Sequence, residues 1–345
     1  MKRSLLFIVL LSCISLCVNG QNEVRPFNKW ESIAFCSYNQ YHPFDYIRTD
    51  NNWELLFTLR TPHTASELKS MGIKFNESQL KYLMIGGLVK MDGKHLYTTF
   101  PIYDEEQTIK IRNLSRKIAE ETFKETESDY RDFTKVLAKQ GYKENAYSLL
   151  FSYLLDSKTW HSAVPSKNKI SHNLTWDGLM YITFEPRKSL KTGTNGYGFL
   201  KVTWSDSLAI WPKTEDINRF VKQFTEHGKI TEPELIKDMS VFDIVDKDGN
   251  ITIPIISLKG DNEINKLSSI ITDKNIKGLN KGLQDFKQLA NISDDNVAKV
   301  ILFHEMMWDT MDLLKEKKII SMPLILQSSK VKEKDFRKIS YMLTP

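Results

Sequence analysis

Residues 64–99 read TASELKSMGIKFNESQLKYLMIGGLVKMDGKHLYTT, and the fold turns on them. Thr64 and Glu67 stand at the spacing of a capping box, in which each side chain bonds the other residue's backbone N–H. The spacing predicts a short helix through Leu68 that stops at Met71-Gly72. Asn76 is placed to cap a second helix, whose Leu80, Leu83 and Met84 recur at helical period and which Gly86-Gly87 ends. Leu88–Met91 and His95–Thr99 then flank Asp92-Gly93, a dipeptide that favours the tight turn of a hairpin. Upstream, Asn51-Asn52-Trp53 opens a further helical run through Leu55, Leu56 and Leu59 that closes at Thr61-Pro62.

Three short helices followed by a hairpin is the order of a winged helix-turn-helix, and residues 51–103 resemble that family. "TASELKSMGI" resembles its second helix and turn, and "NESQLKYLMIGGLVKMDGKHLY" its recognition helix running into the wing. The resemblance implies a third helix that enters the major groove and a wing that touches phosphate. Carried over, the helix presents Glu77, Ser78, Gln79 and Lys81, and the wing Lys90, Lys94 and His95. That is a poor DNA surface, because an acid leads the helix and no Arg lies between 61 and 111. Winged helices also serve as protein interaction modules, and the expectation here is such a module with Lys81, Lys90 and Lys94 among its contacts.

Outward from this unit, residues 21–50 are rich in aromatics, Asn and Pro and read as an irregular lead-in. Residues 104–165 read as a helical connector, with Ile111, Leu114 and Ile118 on one face, expected to pack against the winged unit. Residues 166–345 read as a mixed α/β domain. Residues 179–184, 199–204 and 207–211 are strand-like, 241–245 and 251–256 flank a turn at Asp246-Lys247-Asp248-Gly249-Asn250, and helical period returns from Glu263 to Leu314. The expected fold is therefore α+β: a winged-helix-like unit, a helical connector, a mixed antiparallel β-rich domain and a C-terminal helical segment.

At 345 residues, 41% hydrophobic and 26% charged, the chain is no collagen, disordered chain or polytopic membrane protein. Its 48 basic and 43 acidic residues interleave, and a formal +5 is too mild and too dispersed for nucleic acid. Met1-Lys2-Arg3, an apolar run from Leu5 to Val18 and Asn19-Gly20 have the three parts of a secretory signal (residues 1–20), with cleavage before Gln21. Leu10-Leu11-Ser12-Cys13 offers lipidation at Cys13 as an alternative. Either route predicts a periplasmic, outer-membrane-associated or secreted protein. Cleavage would leave Cys36 as the one thiol, read as a small buried hydrophobe. The expected partner is a protein or envelope component; nucleic acid is not expected if the chain is exported, and membrane contact would come only through lipid on Cys13.

Few constellations point to chemistry, and none calls for a cofactor. His304-Glu305 begins the zinc-protease pattern, but the i+4 position that would complete it holds Trp308. On the same helix Val297, Val300, His304, Met307, Met311 and Leu314 form an apolar stripe, and Glu305, Asp309, Asp312 and Glu316 an acidic one read as an interaction face. Asp246-x-Asp248-x-Asn250 begins like a calcium loop but has Ile251 where such a loop has Gly and Ser257 where it has Glu, so it reads as a turn. Thr192–Gly198 is glycine-rich and precedes no helix, so it reads as a hairpin connection. The leading expectation is an exported binding or assembly protein. Its alternatives are a hydrolase or transferase using Asn195, Tyr197, His304 and Glu305 as catalytic residues, and, if residues 1–20 are retained, a DNA-binding regulator.

Overall fold

The computed structural model describes residues 24–39, 41–164, 174–187 and 191–345; residues 1–20, read above as an export signal, with Cys13 and Gly20, lie outside them. The first departure from expectation is β1 (Glu31–Tyr38), in the stretch read as an irregular lead-in. It pairs antiparallel with β6 (Trp176–Thr183), residue for residue from Glu31 opposite Thr183 to Tyr38 opposite Trp176. Nothing local announces such a strand, because its partner is remote in the chain. α1 (Pro43–Arg48) follows, with the His42 ring accepting the N–H of Phe44.

The decisive stretch folds as its signals predict. α2 (Asn52–Thr58), β2 (His63–Thr64), α3 (Ala65–Ser70), α4 (Glu77–Ile85), β3 (Val89–Asp92) and β4 (His95–Thr98) occur in that order, and the strands lie β2-β4-β3. The capping box forms in both directions, Glu67 N–H to Thr64 Oγ1 at 3.2 Å and Thr64 N–H to Glu67 Oε2 at 2.7 Å. Asn76 Oδ1 accepts the Gln79 N–H at 2.8 Å. β3 and β4 meet with Asp92 opposite His95, and Gly93 takes φ +59°, the left-handed value its turn requires.

β5 (Ile102–Tyr103) joins β6 in parallel, completing a sheet of order β1-β6-β5. β6 reads as a nearly unbroken apolar run because both of its faces are covered. Met180 and Ile182 enter the core of residues 30–102, while Leu179 and Tyr181 enter a second core formed with helices. Those helices are α5 (Glu105–Lys139), α10 (Glu263–Ala290) and α11 (Asp295–Glu316). Residues 104–165 were expected to pack against the winged unit, but α5 lies along α10 and α11 instead. Gly278 on α10 sits against Thr122 and Gly282 against Ile118, and Lys274–Asp129 and Lys281–Glu121 ion pairs flank the contact.

After α5 the chain runs through α6 (Ala146–Ser148), an eleven-residue π-helix (Leu149–Thr159) and α7 (Trp160–Ala163). β7 (Thr192–Tyr197) and β8 (Leu200–Ser205) form a hairpin, followed by α8 (Thr214–His227), α9 (Pro233–Ser240) and β9 (Ile255–Ser257). The C-terminal β10 (Ser340–Thr344) enters between β8 and β9, antiparallel to the first and parallel to the second. The whole is α+β. Residues 207–211 are not a strand, and 241–245 with 251–256 contribute one bridge, Val245 to Ile251, in place of a full hairpin.

A Cβ on Gly278 would lie 2.0 Å from Thr122 Oγ1. Gly278→Leu is therefore expected to cost about 1–3 kcal/mol in urea unfolding through overpacking. An unchanged midpoint would show that α5 and α10 do not meet at this point.

Candidate functional site

Two guanidiniums and two carboxylates meet in the interior. Glu305 is 1% exposed and Asp309 5%, one helical turn apart on α11. The Arg187 guanidinium, on the segment leaving β6, bridges them: Nη2 to Glu305 Oε2 at 2.6 Å, Nε to the same oxygen at 3.1 Å, and Nη1 to Asp309 Oδ1 at 2.8 Å. Nη2 also bonds the Glu305 carbonyl at 3.2 Å, fixing the arginine to both main chain and side chain. Arg112 from α5 approaches from the other side, bonding Glu31 of β1 at 2.9 Å with its Nε 3.8 Å from Glu305.

The remaining oxygens are also engaged. Tyr181 donates to Glu305 Oε1 at 2.8 Å, and Ser115 to Asp309 Oδ2 at 2.5 Å. His304 Nε2 accepts the Trp308 indole N–H at 3.1 Å, which places the neutral ring's proton on Nδ1, facing the Tyr181 oxygen at 2.6 Å. Trp308, at the position where a zinc site would have its second histidine, thus holds His304 as a structural tautomer. Burial pushes the Glu305 carboxyl up, but the Arg187 and Arg112 guanidiniums pull it well below the usual carboxylate range. At Asp309 burial prevails over Arg187 and Ser115, and its pKa stays above the ordinary value.

Each carboxylate oxygen of Glu305 and Asp309 accepts from a protein donor, and none of these residues lines the groove of about 330 Å³ between α5 and α10 or that of about 690 Å³ beside residues 319–325. Among the described residues no group of three His, Cys, Asp or Glu side chains could hold a metal ion.

Of the residues singled out in the sequence, His304, Glu305 and Asp309 come together, but as core; the acidic stripe is not the open face expected of it. Asp312 pairs with Lys315 at 2.7 Å nearer the surface. α11 carries apolar residues on nearly every side, Val300 to Phe303 and Met306 to Trp308 among them, and a helix apolar all round is a buried one. That signal was present in the sequence. Arg187, Arg112, Tyr181 and Ser115 carried none, since each reaches the cluster from a different element.

Asn195 and Tyr197 lie on β7, in the sheet of order β7-β8-β10-β9. Tyr197 packs against Trp211, and no hydrogen bond or ring contact among the described residues joins either to His304 or Glu305. The glycine-rich stretch is strand, not connection: a Cβ on Gly193 would come 2.5 Å from the Trp204 ring, so the glycine admits an indole lying across the hairpin. Asp246 accepts the N–H groups of Asp248 and Asn250 and the Asn250 amide, closing the turn on itself. Lys81, Lys90 and Lys94 are exposed on α4, β3 and the turn after it. Cys36 is half-buried, with Sγ 3.7 Å from His42 Nε2.

No family model matches this chain, and neither a curated protein nor a solved structure matches it.

One further titrating group stands out. Asp156, on the π-helix, accepts from Thr194 at 2.6 Å, and burial pushes its pKa up to about 6. A carboxyl raised in the folded state binds its proton more tightly there than in the unfolded chain. Its contribution therefore favours folding below the unfolded value near 4, and that contribution is lost as pH climbs to about 6. Subtracting the pH–stability curve of Asp156→Asn from that of the native protein should give a difference that falls between pH 4 and 6 and is flat above. Tyr181→Phe removes a buried donor from Glu305 and should cost about 1–3 kcal/mol in chemical unfolding; a neutral effect would mean that Glu305 does not depend on that bond.

Proposed function

We propose that this chain is an exported binding or assembly protein of the cell envelope or its surroundings, and that residues 51–103 are its winged-helix-like docking module. One observation carries the reading. On the outward side of α4, beside the Glu77, Ser78 and Lys81 that a DNA-reading member of that family would turn to base edges, Tyr82, Met84 and Ile85 are exposed as well. Exposed apolar side chains gathered on one short helix mark an interaction surface rather than a nucleic-acid surface. Two further features support it: the β2-β4-β3 sheet and three helices follow the order of that fold, and the polar cluster on α11 is committed to the protein's own interior. Export rests on Met1-Lys2-Arg3 and the apolar run that follows.

Fractionating the native host, then taking the intact mass and N-terminal sequence, tests the reading. A chain beginning at Gln21, or lipidated at Cys13, in the envelope or medium is expected. An uncleaved cytosolic chain that shifts duplex DNA, with affinity falling steeply as salt rises, would replace this reading with that of a DNA-binding regulator.

A further inference from the structure

Six strands form the edges of the three sheets among the described residues, and they differ in how far they are closed to a further strand. β2 and β5 are two residues long and β9 three, β3 carries Lys90 and Asp92, and β7 is interrupted by Gly193 and Gly196. Short length and charge are devices that keep an edge from pairing with another chain, and glycine weakens a strand that would pair. β1 has none of them. It runs eight residues in unbroken register with β6, without proline, lysine or glycine, and its one charge, Glu31, is bound by Arg112 at 2.9 Å.

The ladder also fixes which way the main chain of β1 points. Asn39, just past the strand, donates its N–H to the Thr175 carbonyl, and Ile182 donates away from β1 to Pro101. Odd-numbered residues of β1 therefore bond β6, and even-numbered ones turn outward. Among the described residues the outward N–H and C=O groups of Ser32, Ala34 and Tyr38 have no hydrogen-bond partner. Both faces of the strand are nevertheless covered, Ile33 and Phe35 by the helices and Ala34 and Cys36 by the core of residues 30–102. An open edge between two covered faces fits an added strand.

We propose that β1 pairs antiparallel with β1 of a second copy of this chain, joining two three-stranded sheets into one of six strands. The strand's own pattern favours itself as partner. Parallel pairing in register would set Glu31 against Glu31. A two-fold axis beside Phe35 instead sets Ser32 opposite the partner's Tyr38 and holds the two Glu31 residues roughly 25 Å apart, at about 3.4 Å per residue. Residues that face each other then share a side of the sheet, so module lies beside module and bundle beside bundle. The Tyr38 ring, 53% exposed, gains a cross-strand neighbour. Such a pair closes on itself, leaving neither β1 edge to recruit further copies. Because β1 lies outside residues 51–103, this pairing and the docking-module reading stand or fall separately.

Sedimentation velocity on the protein purified from its native host tests the pairing, with a dimer expected at micromolar concentration. Ser32→Pro/Ala34→Pro removes two outward N–H groups per copy and none that bonds β6, and should raise the dimer dissociation constant about tenfold or more. Circular dichroism and the urea midpoint verify that the variant is folded. Independently of that variant, a photo-crosslinker at position 38, in a mixture of isotopically light and heavy chains, should join light to heavy with attachment near Ser32. A native chain that stays monomeric up to about 100 μM overturns the proposal. So does a dimer that the folded proline variant leaves intact, or a crosslink that lands on another protein or away from β1.

Discussion

The Arg187 guanidinium, held between Glu305 and Asp309, is the contact on which the arrangement of the molecule depends. It sits on the chain leaving β6, both carboxylates sit on α11, and Arg112 brings in α5 and, through Glu31, β1. Four elements distant in sequence therefore meet at one largely buried ionic cluster. Taking a charge out of water is costly unless it is paired and its remaining donors and acceptors are used. Here nearly all are used, which ties the cost of burial to the correct placement of every element at once. A misplaced α11 would strand carboxylates in a core of Phe303, Met306 and Tyr181.

β6 turns that constraint into an architecture. One of its faces closes the core around Trp30, Trp53 and Leu56, and the other meets α5, α10 and α11, so a single strand is the wall between the module and the bundle. The bundle side spends its polar chemistry inward, on Glu305, Asp309 and Tyr181. The module side leaves its polar and apolar groups outward, on α4 and the hairpin. The binding role proposed above starts from this division.

What was legible in the sequence was local. Thr64 with Glu67, Asn76, Gly86-Gly87 and Asp92-Gly93 are signals whose meaning is fixed by the next few residues, and α3, α4 and the β3–β4 hairpin formed where they pointed. The Asp246 turn belongs with them. What was not legible was pairing at a distance. β1 looked irregular because its partner is β6, and β10 was unmarked because its place between β8 and β9 is set by strands far upstream. The glycines of β7 resembled a connection because the Trp204 ring that explains Gly193 lies on the opposite strand. The acidic residues of α11 kept a surface-like spacing, and only the arrival of Arg187 and Arg112 makes their burial possible.

A double-mutant cycle across the Arg187–Glu305 pair, by denaturant unfolding, addresses the central claim most directly. Arg187→Met and Glu305→Met should each cost about 3–5 kcal/mol by leaving the opposite charge buried and unpaired, and the double variant should cost no more than either alone. Costs that simply add, or single variants that unfold like the native protein, would contradict the claim that this cluster holds the structure together.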